Sequence, residues 1–273
     1  MGERPRTYKT EGIILRRRNL GEADSIFTVY ADREGKFDAI AKGVRKARSR
    51  MRGHLEPLTR TRMMLARGRS LDVFTQAETV APYRALRENL ERGAAAMYCA
   101  ELVDRFTAEH VEHPGLYELI LDVFDALEAG AAPHVVRYFE ANLLSHMGYE
   151  LQLDACAVCG NRLPEEDTLL SAAAGGLVCY GCRAVAGGGR LVGVRGVKVL
   201  RYARGATLEA FAAVRVDGDL DQELQSALAE VIRYVLDREP TTRRYLAQVT
   251  ALGARHAPET PPPYNQDSNL APS

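Results

Sequence analysis

Four of the five cysteines fall in two C-x-x-C pairs, Cys156 with Cys159 and Cys179 with Cys182, and 19 residues separate the pairs. Each C-x-x-C turn presents two sulfurs to one ion and two turns complete a tetrahedron, so this is the spacing of a four-thiolate zinc site. Four thiolates fill the coordination sphere and leave no position for water, which makes the expected role structural. The stretch between the pairs, with Ser171, Ala172, Ala173, Ala174, Gly175 and Gly176, is too small and polar to form a core of its own. Structural zinc contributes on the order of 10 kcal/mol to small modules of this kind. Redox-active or oxidised pairs are the alternative chemistry for the same residues. The fifth cysteine, Cys99, lies in the apolar run Ala94 to Leu102 and reads as a buried helix residue.

The second group of residues with a chemical use is basic. Between Gly12 and Arg52 the cations Arg16, Arg17, Arg18, Lys36 and Lys42 lead into Arg45, Lys46, Arg48, Arg50 and Arg52. Burying so many unpaired charges is too costly for a core, and a surface of this kind attracts phosphates without reading sequence. A solvated loop that merely keeps the protein soluble is the bland alternative, but the cations recur on different candidate strands, so a barrel could gather them onto one side. Strand alternation puts Arg16 and Arg18 on one face and Arg17 on the other, so Lys42 to Arg52 ranks above Arg16, Arg18 and Lys36 as a nucleic-acid contact. Phe27, Tyr30 and Phe37 are the nearby rings, and at strand spacing a ring is more often core than a stacking platform. A further basic series, Arg195, Lys198, Arg201 and Arg204, follows the cysteines; steps of three drift around a helix and cover a broad, solvated face.

Motifs for covalent chemistry are missing. The sequence contains no P-loop, no G-x-G-x-x-G in a strand-to-helix setting, no G-x-S-x-G and no H-E-x-x-H. His110-Val111-Glu112 matches the H-x-E of zinc nucleobase deaminases, but Ala155 stands where their P-C-x-x-C has proline, and that chemistry gives Cys179 and Cys182 no task. The sequence gives no reason to expect NTP hydrolysis.

These residues must be carried by a definite order of elements. Five runs read as strands: Thr7 to Arg18, Ser25 to Ala31, Lys36 to Lys42, Leu58 to Ala66 and Leu71 to Ala77. Five short strands in so short a stretch predict a small barrel of the OB type, and an SH3-like barrel fits the same pattern. From Pro82 the texture turns helical, with helices expected over Tyr83 to Gly93, Ala94 to His110, Pro114 to Gly130 and Pro133 to Met147, and again over Val194 to Val214, Leu220 to Leu236 and Thr241 to Leu252. The expected fold is α+β and multidomain. It comprises a five-stranded OB barrel (1–80), a helical domain in two parts (81–153 and 191–255), an inserted four-cysteine zinc module (154–190) and a Pro-rich disordered tail (256–273).

The formal net charge of zero hides an asymmetry: residues 1–80 carry 18 Lys+Arg against 10 Asp+Glu, net +8, and the remainder 18 against 26, net −8. One end is basic and the other acidic. No run has signal-peptide or membrane-spanning length, and C-x-x-C pairs used for metal suit a reducing compartment, so a soluble cytoplasmic protein is expected.

The order of parts, together with Gly12-Ile13-Ile14-Leu15-Arg16, Gly21-Glu22-Ala23-Asp24-Ser25, Gly35-Lys36, Ala41-Lys42-Gly43-Val44-Arg45, Leu55-Glu56-Pro57-Leu58 and the lead-in Gly148-Tyr149 to Cys159, resembles the bacterial recombination-mediator family RecO. The resemblance covers residues 7–252. It implies an OB fold that binds single- and double-stranded DNA, a structural Zn(2+), annealing of complementary strands and, with RecR, assistance in loading RecA onto DNA covered by single-strand-binding protein. A zinc-stapled RNA-binding module in transcription or translation shares the physical features without the residue-level likeness.

Overall fold

The computed structural model describes residues 6–256. Strands β1 (Thr7–Leu20), β2 (Asp24–Ala31), β3 (Gly35–Ala41), β4 (Arg60–Ala66) and β5 (Asp72–Ala81) close into a barrel in the order β1-β2-β3-β5-β4. Closure comes from a short parallel contact between β3 and β5, at Ala39 with Asp72 and Ile40 with Val73. This is an OB-like barrel. Alternation directs Ile14, Phe27, Val29, Phe37, Met63, Leu65 and Phe74 inward. The small Ala31, Ala39 and Ala41 make room for an edge-to-face pair of Phe27 and Phe74, with centroids 5.7 Å apart. A bulge between Ile14 and Arg16 lets the long β1 serve both β2 and β4.

The helical body consists of α1 (Arg84–Glu88), α2 (Leu90–Phe106), α3 (Leu116–Ala129), α4 (Val135–His146), α5 (Val194–Gly205), α6 (Leu208–Ala212), α7 (Gly218–Leu236) and α8 (Thr241–His256). Between α4 and α5 the cysteine segment forms a small sheet, β6 (Thr168–Ser171), β7 (Gly176–Val178) and β8 (Arg190–Val192), in the order β7-β6-β8. One apolar core joins everything outside the barrel interior. It runs from Ile13, Leu15 and Tyr30 on the outer side of the barrel, through the helices, to Leu153, Leu170, Leu177 and Val192.

Several expected boundaries are corrected. The break between the first two helices lies at Asn89, whose side chain accepts from the Arg92 N–H at 3.0 Å as an N-cap. Gly93 does not end a helix: it is buried in α2, where an added Cβ would lie 2.4 Å from the Leu86 carbonyl oxygen, so the glycine permits α1 to pack closely. The helix expected to reach His110 stops at Phe106. The chain then runs beside β3, with Glu109 bridging Lys36 and the His110 N–H bonded to the Lys36 carbonyl at 2.7 Å. Gly35, at φ 61°, lies under this strap, where an added Cβ would sit 2.1 Å from the Val111 carbonyl oxygen. The helix expected over Val194 to Val214 is two helices, the second capped by Thr207. Strands β6 to β8 were not anticipated. The tail expected from 256 onward lies, beyond His256, outside the described residues.

Two polar contacts fix the helices. Arg137 and Glu140, both buried, lie 2.7 Å apart, and Tyr98 donates to Glu140 at 2.6 Å. Removing Glu140 leaves the buried guanidinium only the more distant Asp221, at 3.4 Å, and takes the acceptor from the Tyr98 hydroxyl. Glu101 on α2 caps α8, accepting from the N–H groups of Thr241 at 2.8 Å and Thr242 at 2.7 Å and from the Thr242 hydroxyl. Burial works against ionisation of Glu101, but these hydrogen bonds and that of Arg105 win and hold its carboxyl below the usual range.

Glu140→Ala is therefore expected to cost about 3–5 kcal/mol, seen as a lowered midpoint in denaturant; a midpoint within error of the parent would show that the pair stabilises nothing. Glu101→Ala should speed amide exchange in the first turn of α8 while the middle of α2 stays protected. Because the folded pKa of Glu101 is depressed, the cap is complete above the unfolded carboxylate pKa and is lost as pH falls through the lower folded value. Protection that instead vanished as pH rose would contradict this.

Candidate metal centre and nucleic-acid interface

The two C-x-x-C turns approach each other because β7 returns the chain beside the first. Ala157 N–H bonds to the Leu177 carbonyl at 2.8 Å, and Leu177 N–H to the Gln152 carbonyl at 2.8 Å. Gly160, at φ 73°, closes the first turn with its N–H on the Cys156 carbonyl at 2.8 Å. As a result the Sγ atoms of Cys156, Cys159, Cys179 and Cys182 lie within 4.8 Å of one another. A zinc tetrahedron with bonds of about 2.3 Å has sulfur-to-sulfur edges of roughly 3.8 Å, and the Cys159 and Cys179 sulfurs are 3.8 Å apart. The donor set fits a metal ion. No histidine or carboxylate joins this cluster among the described residues, and the exposed His110 and Glu112 belong to the strap beside β3.

The electrostatics of the cluster point the same way. Burial opposes ionisation of Cys156, yet the backbone N–H groups of Cys159, Cys179 and Val158 hold its thiol down to about 6. Hydrogen bonding to the Cys179 and Cys159 sulfurs pushes Cys182 up to about 12, because crowded sulfurs cannot all carry negative charge unaided. A dication at their centre removes that conflict. Around the cluster, three of the basic series after the cysteines tie the module to α5, and the fourth, Arg195, joins α5 to the start of α7. Arg195 pairs with Asp217 at 2.8 Å, Lys198 with Glu165 at 3.3 Å and Arg204 with Asp154 at 2.8 Å, while Arg201 donates to the Leu153 carbonyl at 2.8 Å.

The structure divides the basic residues expected at the barrel into two groups. After the bulge, Arg16 stands opposite Thr28 and Arg18 opposite Ile26, on the outer face of β2 and β3. Acids neutralise this group: Arg16 and Lys36 each lie 3.3 Å from Asp104, and Arg18 pairs with Asp38. Lys36 is only 12% exposed. Arg17 points the other way, toward Ser25, Glu56 and the Phe27 ring.

Lys42, Arg45, Lys46, Arg48, Arg50 and Arg52 form the second group, on the connection from β3 to β4, and all six are exposed. The connection is nevertheless anchored. Val44 and Leu55 are fully buried in the barrel core, Gly43 N–H bonds to Asp24 at 2.7 Å and Arg45 N–H to the Ala23 carbonyl at 2.9 Å. Arg45 also reaches the Gly21 carbonyl; among the described residues none of the six cations forms an ion pair. Phe27, Tyr30 and Phe37 are buried, at 0%, 0% and 1% exposure, and present no ring to a ligand.

Two features escaped the sequence. Lys9 on β1 and Arg62 on β4 stand on neighbouring strands beside the basic connection; only the strand register, which local patterns do not show, brings them together. A cleft of about 870 Å³ opens where the barrel, α2 and α8 meet, with Leu15, Leu58, Met97 and Tyr245 in its walls and Arg16, Arg87 and Arg105 at its edge. No helix among the described residues is long and apolar enough to cross a membrane.

Comparison with known proteins places this geometry. Residues 5–83 match the family described as Recombination protein O N terminal, and residues 87–244 the family described as Recombination protein O C terminal. The DNA repair protein RecO of Roseiflexus sp. (strain RS-1) is 38% identical over 247 residues, 90% of this chain and 87% of that protein. Its counterparts in Dehalococcoides mccartyi (strain CBDB1) and Pelotomaculum thermopropionicum (strain DSM 13744 / JCM 10971 / SI) are 34% and 35% identical, over 89% and 88% of this chain and 96% and 93% of their own lengths. With both halves matched in order and relatives aligned nearly end to end, the chain belongs to the RecO family.

Proposed function

We propose that this protein is a non-enzymatic DNA repair and recombination mediator of the RecF pathway. It binds single- and double-stranded DNA through the barrel, anneals complementary strands and, with RecR, helps load RecA onto DNA coated by single-strand-binding protein. The observation that carries the reading is the anchored connection from Lys42 to Arg52, whose six exposed cations have no acidic partner among the described residues, in a chain whose relatives are named DNA repair proteins. Charges fixed on a pinned loop meet phosphates without first giving up internal ion pairs. Neutralising phosphate charge lowers the repulsion between two strands, which is the electrostatic obstacle to annealing. The four cysteines hold a structural Zn(2+) that staples the module at 154–190 to the helical body. The cleft beside α2 and α8, whose lining mixes apolar side chains with Arg87 and the ion pairs of Arg16 with Asp104 and Arg105 with Glu101, suits a protein partner such as RecR or single-strand-binding protein. The setting is the cytoplasm, at the nucleoid.

Changing Arg45, Lys46, Arg48, Arg50 and Arg52 to Glu should weaken binding to a single-stranded oligonucleotide by about tenfold or more. It should also flatten the dependence of log affinity on log salt by about 0.7 per lost contact. Unchanged affinity and slope would remove the loop from the interface, and a preference for RNA over DNA in direct competition, with no acceleration of annealing, would move the function to RNA. Cys179→Ser with Cys182→Ser is expected to abolish stoichiometric zinc and to speed hydrogen exchange over 154–190 while DNA affinity persists. Metal analysis of the parent protein that found no zinc would remove the staple.

A further inference from the structure

OB barrels commonly hold a strand across the outer face of strands 2 and 3. Here the helices cover the part of that face around Tyr30 and Thr28, and acids neutralise the part that stays exposed. Tyr30 is fully buried in the core shared with the helices, next to Ile13 and Leu15 of β1, and Thr28 is 2% exposed. The strap at Glu109 pairs with the start of β3. The cations that remain on this face, Arg16, Arg18 and Lys36, are matched by Asp104 and Asp38.

The opposite wall, made by the first half of β1 with β4 and β5, is open. Register puts Lys9 beside Met64 and Met64 beside Gln76; the next row is Glu11, Arg62 and Glu78. The connection from β3 returns along this wall and is stitched to it. The Thr79 N–H bonds to His54 Nδ1 at 3.2 Å, and the Thr61 hydroxyl donates to the His54 carbonyl at 2.6 Å. Between wall and connection lies a groove of about 550 Å³, lined among others by Lys9, Arg50, His54, Arg62, Met64 and Gln76. Lys9 and Arg50 have no ion-pair partner among the described residues. Glu11 is shared by Arg60 at 2.6 Å and Arg62 at 3.1 Å, so two guanidinium groups outweigh one carboxylate there. Glu78 is the remaining acid, and the groove keeps a net positive charge. Its apolar lining is Met51, Met63, Met64 and Ala77; no Phe, Tyr or Trp lines it, and the His54 imidazole is held by Thr79.

Resting on the DNA-binding reading above, we propose that a single strand lies in this groove, its phosphates on Lys9, Arg50 and Arg62, and does not cross the β2–β3 face. A groove that grips phosphates and stacks no bases leaves the base edges free for a second strand.

The test compares the full chain carrying Lys9→Gln, Arg50→Gln and Arg62→Gln with one carrying Arg16→Gln and Arg18→Gln, using a fluorescent oligothymidylate titrated over a range of salt. Neutral substitutions keep the barrel core intact, and circular dichroism melts check that both variants fold. The groove variant should lose about tenfold or more in affinity and about 2 in the magnitude of the salt slope, three contacts at roughly 0.7 each; the Arg16 and Arg18 variant should stay within about twofold of the parent. If the parent binds but the groove variant binds equally well, or both variants lose alike, the groove is not the path and the DNA-binding reading survives. A parent protein that does not bind the oligonucleotide overturns both.

Discussion

The burial of Tyr30, together with Ile13 and Leu15, on the outside of the barrel is the constraint on which the rest of the structure depends. A small barrel needs only its interior to be apolar, and here the interior set of Ile14, Phe27, Val29, Phe37, Met63, Leu65 and Phe74 is separate from the core that takes in Tyr30. An apolar outer patch has to be covered. Covering it brings the end of α2 against β1 and β3, where Asp104 meets Arg16 and Lys36 and where the chain after Phe106 can pair with Lys36. One hydrophobic contact thus decides which barrel wall is neutralised and which is left to solvent.

The charges divide accordingly. The barrel segment is basic and the remainder acidic, but the two do not simply attract as bodies: a few acids facing the barrel are paired one by one, and the connection from Lys42 to Arg52 is held away from them by Val44 and Leu55 plugged into the barrel. The same logic operates at the cysteine module, where Lys198 and Arg204 find Glu165 and Asp154. Exposed pairs of this kind stabilise little, about 0–1 kcal/mol each. The module is therefore held chiefly by the apolar continuity from Leu153 to Val192 and by whatever joins the four sulfurs.

What could be read in the sequence was local. Alternation in Ser25 to Ala31 and Lys36 to Lys42 marks strands, and the cysteine spacing marks a four-sulfur cluster, because in each case the residues that cooperate are neighbours or recur at a fixed step. Legibility failed where the cooperating residues are distant. Tyr30 looks like any barrel ring until the helices are seen against it. Arg16, Arg18 and Lys36 look like free cations until Asp104 and Asp38 are placed. Gly93 looks like a helix stop because the sequence cannot show the Leu86 carbonyl that needs the space. Strands β6, β7 and β8, of 4, 3 and 3 residues, are too short to show a period.

The absence of Phe, Tyr and Trp from the lining of the basic groove bears on how the proposed nucleic-acid surface would work. Aromatic platforms hold a strand by its bases, with about 1–3 kcal/mol from each stacked base, and a stacked base must leave its platform before it can pair with a complement. Cations hold the same strand by its phosphates and leave the bases untouched, at the cost of an affinity that falls steeply with salt. With Phe27, Tyr30 and Phe37 committed to the two cores and the half-buried Tyr8 ring covered by Arg67, the proposed groove relies on the second means. On the DNA-binding function proposed above, that favours exchange and pairing of strands over their sequestration.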